Sequence, residues 1–139
     1  MGIKNMNHLC HHIGIFTNNP EDMILFYTEK LGFERGVKKI VPEAIMVPIF
    51  GLSSSCSLTK LTSGHMTIEV LCPEDSELKE GKGYSAGYNH WGLGVQDKEA
   101  FCNELQRRGV HIIRVENNGR YICFIKDPDG NLIELYEER

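Results

Sequence analysis

Two histidines and two glutamates recur at matching places in this chain. His12 opens His12-Ile13-Gly14-Ile15 and His90 opens His90-Trp91-Gly92-Leu93. Glu69 lies inside Thr67-Ile68-Glu69-Val70-Leu71, and Glu134 inside Leu132-Ile133-Glu134-Leu135-Tyr136. A carboxylate left unpaired within so apolar a strand is costly or titrates to its neutral form. A divalent cation held by both imidazoles and both carboxylates removes that penalty. Mixed nitrogen and oxygen donors suit zinc, nickel, cobalt, iron or manganese, and an open position admits substrate or water. One histidine near a strand start, or one glutamate in a strand, is ordinarily a surface residue. Equivalent pairs in repeated segments point instead to a site.

A repeat decides the architecture that must position these residues. Ile13 and Ile15 alternate with Gly14 and Phe16, the pattern of a half-buried strand. Asn18-Asn19-Pro20-Glu21-Asp22 then predicts a helix start: Asn19 as cap, proline at the first helical position, two acids at the positive dipole end. Ile24, Phe26, Tyr27 and Leu31 supply its apolar bulk, and Gly32 stops it. In the second half Trp91, Leu93 and Val95 alternate with Gly92, Gly94 and Gln96. Asp97 caps a helix carrying Phe101, Cys102 and Leu105, and Gly109 ends it. Cap to stop is 13 positions in the first copy and 12 in the second. Strands are predicted at 34–39, 44–49, 56–60 and 65–72, and then at 110–115, 121–126 and 132–137. Asp127-Pro128-Asp129-Gly130 reads as a tight turn, which makes the last two strands a hairpin. The expected fold is therefore α+β, two tandem βαβββ modules at 7–73 and 89–137 joined by a polar connector at 74–88 within one domain.

Side chains alternate faces along a strand. With Ile13, Ile15, Ile68 and Val70 packed under the first helix, His12, Gly14 and Glu69 face the other way. With Trp91, Leu93, Ile133 and Leu135 packed in the second module, His90, Gly92 and Glu134 do the same. All four candidate ligands thus share the face away from the helices, and Gly14 and Gly92 keep that concave face open. His11 has the parity of Ile13 and is assigned to the packed face. His65 has the parity of Glu69 and is a candidate for the cavity mouth. His8 and His111 read as surface residues.

Composition excludes several function classes. The hydrophobic fraction of 41% and charged fraction of 24% describe an ordinary soluble globular protein. Net charge is −4, and the basic residues form no block beyond the pairs Lys38-Lys39 and Arg107-Arg108, which argues against nucleic acid or a polybasic membrane surface as partner. No apolar stretch is long enough to span a bilayer, and the first ten residues hold no apolar signal core. Five cysteines without a CxxC predict free thiols in a reducing cytoplasm, not a zinc ribbon or a thioredoxin-like motif.

Three segments carry a resemblance over nearly the whole chain: His12-Ile13-Gly14-Ile15, then Phe26-Tyr27-Thr28-Glu29-Lys30-Leu31-Gly32-Phe33, then Lys126-Asp127-Pro128-Asp129-Gly130-Asn131-Leu132-Ile133-Glu134-Leu135. The chain resembles the vicinal oxygen chelate superfamily of glyoxalases, epimerases and extradiol dioxygenases. The resemblance implies paired modules that form a curved mixed sheet around a metal-binding cleft, commonly as a homodimer. At the four ligand positions it is most similar to glyoxalase I (lactoylglutathione lyase), where the residue matching Glu69 is a glutamate ligand. Methylmalonyl-CoA epimerases usually carry glutamine there. Extradiol dioxygenases use two histidines and one glutamate, matching His12, His90 and Glu134. The resemblance implies a metal-dependent lyase or isomerase that removes a proton next to a metal-bound carbonyl, taking a hemithioacetal to a hydroxyacyl thioester. It implies Glu134 as the base, Glu69 as its mirror partner, and nickel or cobalt as the ion, with zinc the alternative. Phe16 and Pro73 replace an arginine and an asparagine that contact glutathione in bacterial glyoxalase I. The stretch Pro42-Glu43-Ala44-Ile45-Met46-Val47-Pro48 resembles epimerases, in which a glutamate at the place of Glu43 is a second acid/base. An epimerase-like racemase of a CoA thioester is therefore the alternative, followed by a metal-free binding protein of the bleomycin-resistance kind and an extradiol dioxygenase.

Overall fold

In a computed structural model, residue 4 and residues 7–79 and 86–138 are described; part of the expected connector, 80–85, lies outside them. The described residues fall into two compact units, Met1–Pro20 with Gly32–Leu78, and Glu21–Leu31 with Lys79–Arg139.

The first unit holds a four-stranded mixed sheet. β1 (Ile13–Phe16) runs parallel to β4 (Met66–Pro73), which pairs antiparallel with β3 (Cys56–Ser63), and β3 with the edge strand β2 (Glu34–Val41). The second unit repeats the arrangement. β5 (His90–Val95) runs parallel to β8 (Leu132–Glu137), β8 antiparallel to β7 (Arg120–Lys126), and β7 antiparallel to β6 (Ile112–Asn117). The expected repeat is therefore present, as an α+β chain with two modules of like topology. Burial follows the alternation read from sequence: Ile68, Val70, Ile133 and Leu135 are buried, while Glu69 and Glu134 between them are half-exposed.

One segment departs from expectation. Residues 44–49 are not a strand but the centre of a helix, α2 (Glu43–Phe50). Extended Pro42 sets its start, and the Pro42 carbonyl accepts from the amides of Ile45 and Met46 at 2.9 and 3.2 Å. Its end is set by Gly51, in the left-handed region at φ 68°, whose amide bonds the Val47 carbonyl at 2.9 Å. β-Branched residues favour a strand only weakly once packing opposes it. Here Met46 is wholly buried in a cluster with Cys56, Leu58 and Leu71. Leu58 and Leu71 are cross-strand partners on the Glu69 face of the sheet, so α2 covers part of the face expected to lie open.

The first helix, α1 (Pro20–Leu25), runs on as a π-helical turn over Phe26–Lys30. Sequence adjacency assigns it to the first module, yet its hydrogen bonds tie it into the second unit. Buried Tyr27 donates to Asp127 Oδ2 at 2.9 Å, Lys30 Nζ donates to the Arg108 carbonyl at 2.6 Å, and Arg108 Nη1 donates to the Glu29 carbonyl at 2.8 Å. Asp127 also organises the predicted turn, its Oδ1 accepting from the amides of Asp129 and Asn131 at 3.0 and 2.9 Å. α3 (Lys98–Arg107) begins as predicted, with the Asp97 carboxylate accepting from the Ala100 amide at 3.0 Å. No helix among the described residues is long and apolar enough to cross a membrane.

Candidate functional site

Strand register builds the same half-site twice. In the parallel pair β1–β4, Gly14 lies opposite Glu69; in β5–β8, Gly92 lies opposite Glu134. Each histidine precedes its glycine by two positions, so imidazole and carboxylate project from one face. His12 Nε2 stands 3.2 Å from Glu69 Oε1, and His90 Nε2 stands 3.4 Å from Glu134 Oε1. A Cβ added at Gly14 would meet only Leu71, at 3.8 Å, and one at Gly92 would meet nothing within 4 Å. Neither glycine is required by packing, so both serve to leave space beside the carboxylates.

The surroundings of His90 fix its proton. Asn89 Oδ1 can only accept, so His90 Nδ1–H donates to it. In the neutral ring Nε2 is then a bare lone pair pointing at a carboxylate oxygen. A proton or a metal ion between two such acceptors removes their repulsion. Two donors each about 2.1 Å from a common ion, at tetrahedral to octahedral angles, stand about 3.0–3.4 Å apart. Both observed pairs fall in that interval. An acceptor on the other ring nitrogen is the usual support for a metal-binding imidazole. His12 has a comparable neighbour, His11, whose Nδ1 is 2.9 Å from His12 Nδ1. The donor set thus fits a divalent ion as two half-sites, one in each unit. Among the described residues no group of three or more His, Cys, Asp and Glu side chains is gathered closely enough to hold a metal.

The other candidate side chains are exposed. His65 is exposed in the turn between β3 and β4, Glu43 is exposed in the first turn of α2, and His8 and His111 are exposed. Three residues that sequence reasoning passed over belong to the site. Asn89 orients His90. Phe124 lies opposite Glu134 in the β7–β8 register, and its ring centroid is 5.1 Å from that of His90. Phe50 at the end of α2 meets Phe16 edge-to-face, with centroids 5.1 Å apart. Counting back from the Asp127 turn along the hairpin would have found Phe124, whereas Phe50 was hidden by reading α2 as a strand.

The two half-sites open onto different surroundings. His12 and Glu69 border a cavity of about 380 Å³ with an apolar wall that includes Phe16, Met46, Phe50 and Leu71. Glu134 borders a cleft of about 710 Å³ whose other walls carry Lys98, Glu99, Arg120 and Tyr121. Lys98 Nζ donates to the Tyr121 carbonyl at 3.0 Å and sits 4.6 Å from the ring centroid, while Arg114 lies 4.7 Å from it. The Tyr121 hydroxyl donates to Glu99, which pushes the phenol up to about 12.

Residues 9–135 match the Glyoxalase/Bleomycin resistance protein/Dioxygenase superfamily. The chain is 26% identical over 131 residues to the uncharacterized protein YwkD of Bacillus subtilis, covering 92% of this chain and 95% of that one. It is 27% identical over 140 residues to a probable chloroplastic lactoylglutathione lyase of Arabidopsis thaliana, covering 97% of this chain but 37% of the plant protein. It therefore spans well under half of that lyase. Among solved structures, the trypanothione-dependent glyoxalase I of Leishmania major superposes with a TM-score of 0.68 at 25% identity, covering 95% of this chain and 88% of that one. A glyoxalase family protein from Enterococcus faecalis gives 0.70 at 24% identity, covering 93% and 97%, a likeness of fold. Repeated sheet topology, repeated half-site and sequence match agree: the chain belongs to the Glyoxalase/Bleomycin resistance protein/Dioxygenase superfamily.

Proposed function

We propose that this protein is a metal-dependent isomerising lyase of the glyoxalase I type, converting a hemithioacetal to a hydroxyacyl thioester. The single observation that carries the reading is the repeated histidine–glutamate pair, with facing acceptors 3.2 and 3.4 Å apart. His12, Glu69, His90 and Glu134 would hold one divalent ion, nickel or cobalt by preference and zinc as the alternative. When bound, that ion supplies Lewis acidity to a substrate carbonyl or hydroxyl oxygen. Glu134 takes the proton from the carbon that bears sulfur, and the electron pair left behind moves toward the neighbouring carbonyl carbon. The same carboxyl group returns the proton to that neighbouring carbon. The hydroxyl proton on the carbon that bears sulfur passes to the oxygen of the neighbouring carbon. One carbon-bound and one oxygen-bound hydrogen thus change position, oxidation and reduction balance within the substrate, and no further reactant is consumed. Glu69 is the mirror partner of Glu134, and the histidines remain ligands throughout. A homodimer belongs to the same proposal, as does a reducing cytoplasm, the latter supported by five cysteines that are all free thiols.

The racemase alternative uses the same proton removal on a CoA thioester, with Glu43 as its second acid. The exposed place of Glu43 in the first turn of α2 gives it no added support. The test is a metal-reconstituted assay in heavy water, against hemithioacetals of several thiols and against methylmalonyl-CoA. Isomerised thioester from a hemithioacetal is the expected result. Deuterium wash-in at the methylmalonyl α-carbon, with no thioester formed from any hemithioacetal, would establish the racemase instead.

A further inference from the structure

Two of the five cysteines meet inside the second unit. Cys102, in the second turn of α3, and Cys123, in the middle of β7, are both wholly buried, and their sulfurs stand 3.0 Å apart. Both are free thiols, and the gap is only about 1 Å longer than a disulfide bond. Cys56 and Cys72 are not placed to join in this way. Cys56 lies across from Pro73 and Cys72 across from Ser57, so their thiols leave opposite faces of the first sheet. Arg114 lies opposite Cys123 in the β6–β7 register, with its Nη1 3.7 Å from Glu99 Oε1. Arg114 and Lys98 bring positive charge to the edge of the thiol pair, which favours thiolate. Burial outweighs them and pushes the Cys123 thiol up to about 12, so thiolate is scarce at neutral pH.

We propose that Cys102 and Cys123 are an oxidative modification site, at which a hydroperoxide converts the two thiols to a disulfide that ties α3 to β7. One sulfur attacks the peroxide oxygen, the O–O bond breaks, and the leaving alkoxide takes the thiol proton. The sulfenic acid so formed lies against the second sulfur, which displaces hydroxide; that ion leaves as water with the second thiol proton. Two S–H bonds and one O–O bond break, while one S–S and two O–H bonds form. Sulfur is oxidised and the peroxide reduced to alcohol and water. The nearby second sulfur captures the sulfenic acid before it can be oxidised further. Both cysteines belong to elements that wall the cleft beside Glu134: α3 begins with Lys98 and Glu99, and Cys123 is followed by Phe124, opposite Glu134. The bond therefore fixes that wall. Because burial keeps the thiols protonated, the site responds to sustained oxidation and not to a brief pulse.

The test exposes the full reduced chain to hydrogen peroxide at mildly alkaline pH. It carries Cys10→Ser, so that an exposed thiol does not cross-link copies. Peptide mapping should find a fragment that joins Cys102 to Cys123, two hydrogens lighter than its two thiol peptides together. Dithiothreitol should separate them again. The thermal midpoint of the oxidised protein should lie roughly 10 °C above that of the same sample after dithiothreitol. Amide exchange in α3 should slow with it, and the rate of cross-linking should rise with pH as thiolate becomes available. Cys102→Ala, or Cys123→Ser as a second variant, should lose both the cross-link and the reversible change in midpoint. Cys102 and Cys123 that remain thiols, or that gain oxygen without joining, overturn the proposal. So does a disulfide of either one with Cys56 or Cys72. A cross-link that leaves both the midpoint and α3 exchange unchanged also overturns it, because the bond then ties nothing that moves.

Discussion

His90 and Glu134 face each other through Nε2 and Oε1 at 3.4 Å, while the opposite ring nitrogen of His90 donates to Asn89. With Nδ1 carrying the proton, the neutral ring presents a lone pair toward the carboxylate. Asn89 is therefore predicted to matter for metal affinity without being a ligand. Replacing Asn89 by Ala frees the ring to rotate and to change tautomer, and should weaken nickel by about 10–100-fold. Competition with a chromophoric chelator measures this directly. Unchanged affinity in Asn89→Ala would show that the ring is held by something else.

Glu134→Gln separates binding from proton transfer. The amide keeps the size of the side chain and one oxygen donor, but it cannot accept a proton at carbon. The variant should retain its circular dichroism spectrum and part of its nickel, while turnover on a hemithioacetal falls by about 100- to 10,000-fold. Turnover equal to that of the parent protein would remove Glu134 from the role of base.

The sequence made the histidine–glutamate pairing legible because a strand has a period of two. Parity selected His12 over His11, and His12 is the residue whose Nε2 meets Glu69. His11, however, is exposed beside the His12 ring and not on the packed face expected for it. The turn at Asp127 and the cap at Asp97 were legible for a similar reason, each being fixed by local chemistry. What failed depends on packing. Residues 44–49 carry strand-like side chains, and the burial of Met46 on Leu58 and Leu71 favours the helix that Pro42 and Gly51 bound. Pro42-Glu43 and Gly51 are helix boundaries, but the β-branched Ile45, Val47 and Ile49 between them alternate as a strand would. The partnership of Tyr27 with Asp127 spans a separation of 100 residues, and no local pattern encodes it.

α2 ends because Gly51 takes a left-handed backbone, and an alanine there would be strained. Gly51→Ala should destabilise the protein by about 1–2 kcal/mol, read as a lower midpoint in urea with an unchanged slope. The cavity wall should loosen with it, since Phe50 immediately precedes Gly51. A variant as stable as the parent would mean that the end of α2 relaxes at no cost.

Tyr27 gives the last prediction, on alkaline stability. Its ring is wholly buried and its hydroxyl donates to Asp127, so burial first, and the neighbouring carboxylate second, hold its phenol far above the ordinary tyrosine value. In the unfolded chain the same phenol ionises near pH 10. Below that pH both states keep the proton, and the contribution of the hydrogen bond to stability is complete. As pH rises past about 10 the unfolded state loses its proton while the folded state retains it, so unfolding becomes progressively more favourable. Tyr27→Phe should cost about 1.5–3 kcal/mol at neutral pH, because the hydrogen bond runs to a charged acceptor. The gap between parent and variant should then narrow as pH rises from 9 toward 11. Chemical denaturation of both proteins at several pH values across that window gives the difference; a gap that stays constant or widens would mean that Tyr27 is not held in its protonated form by the fold.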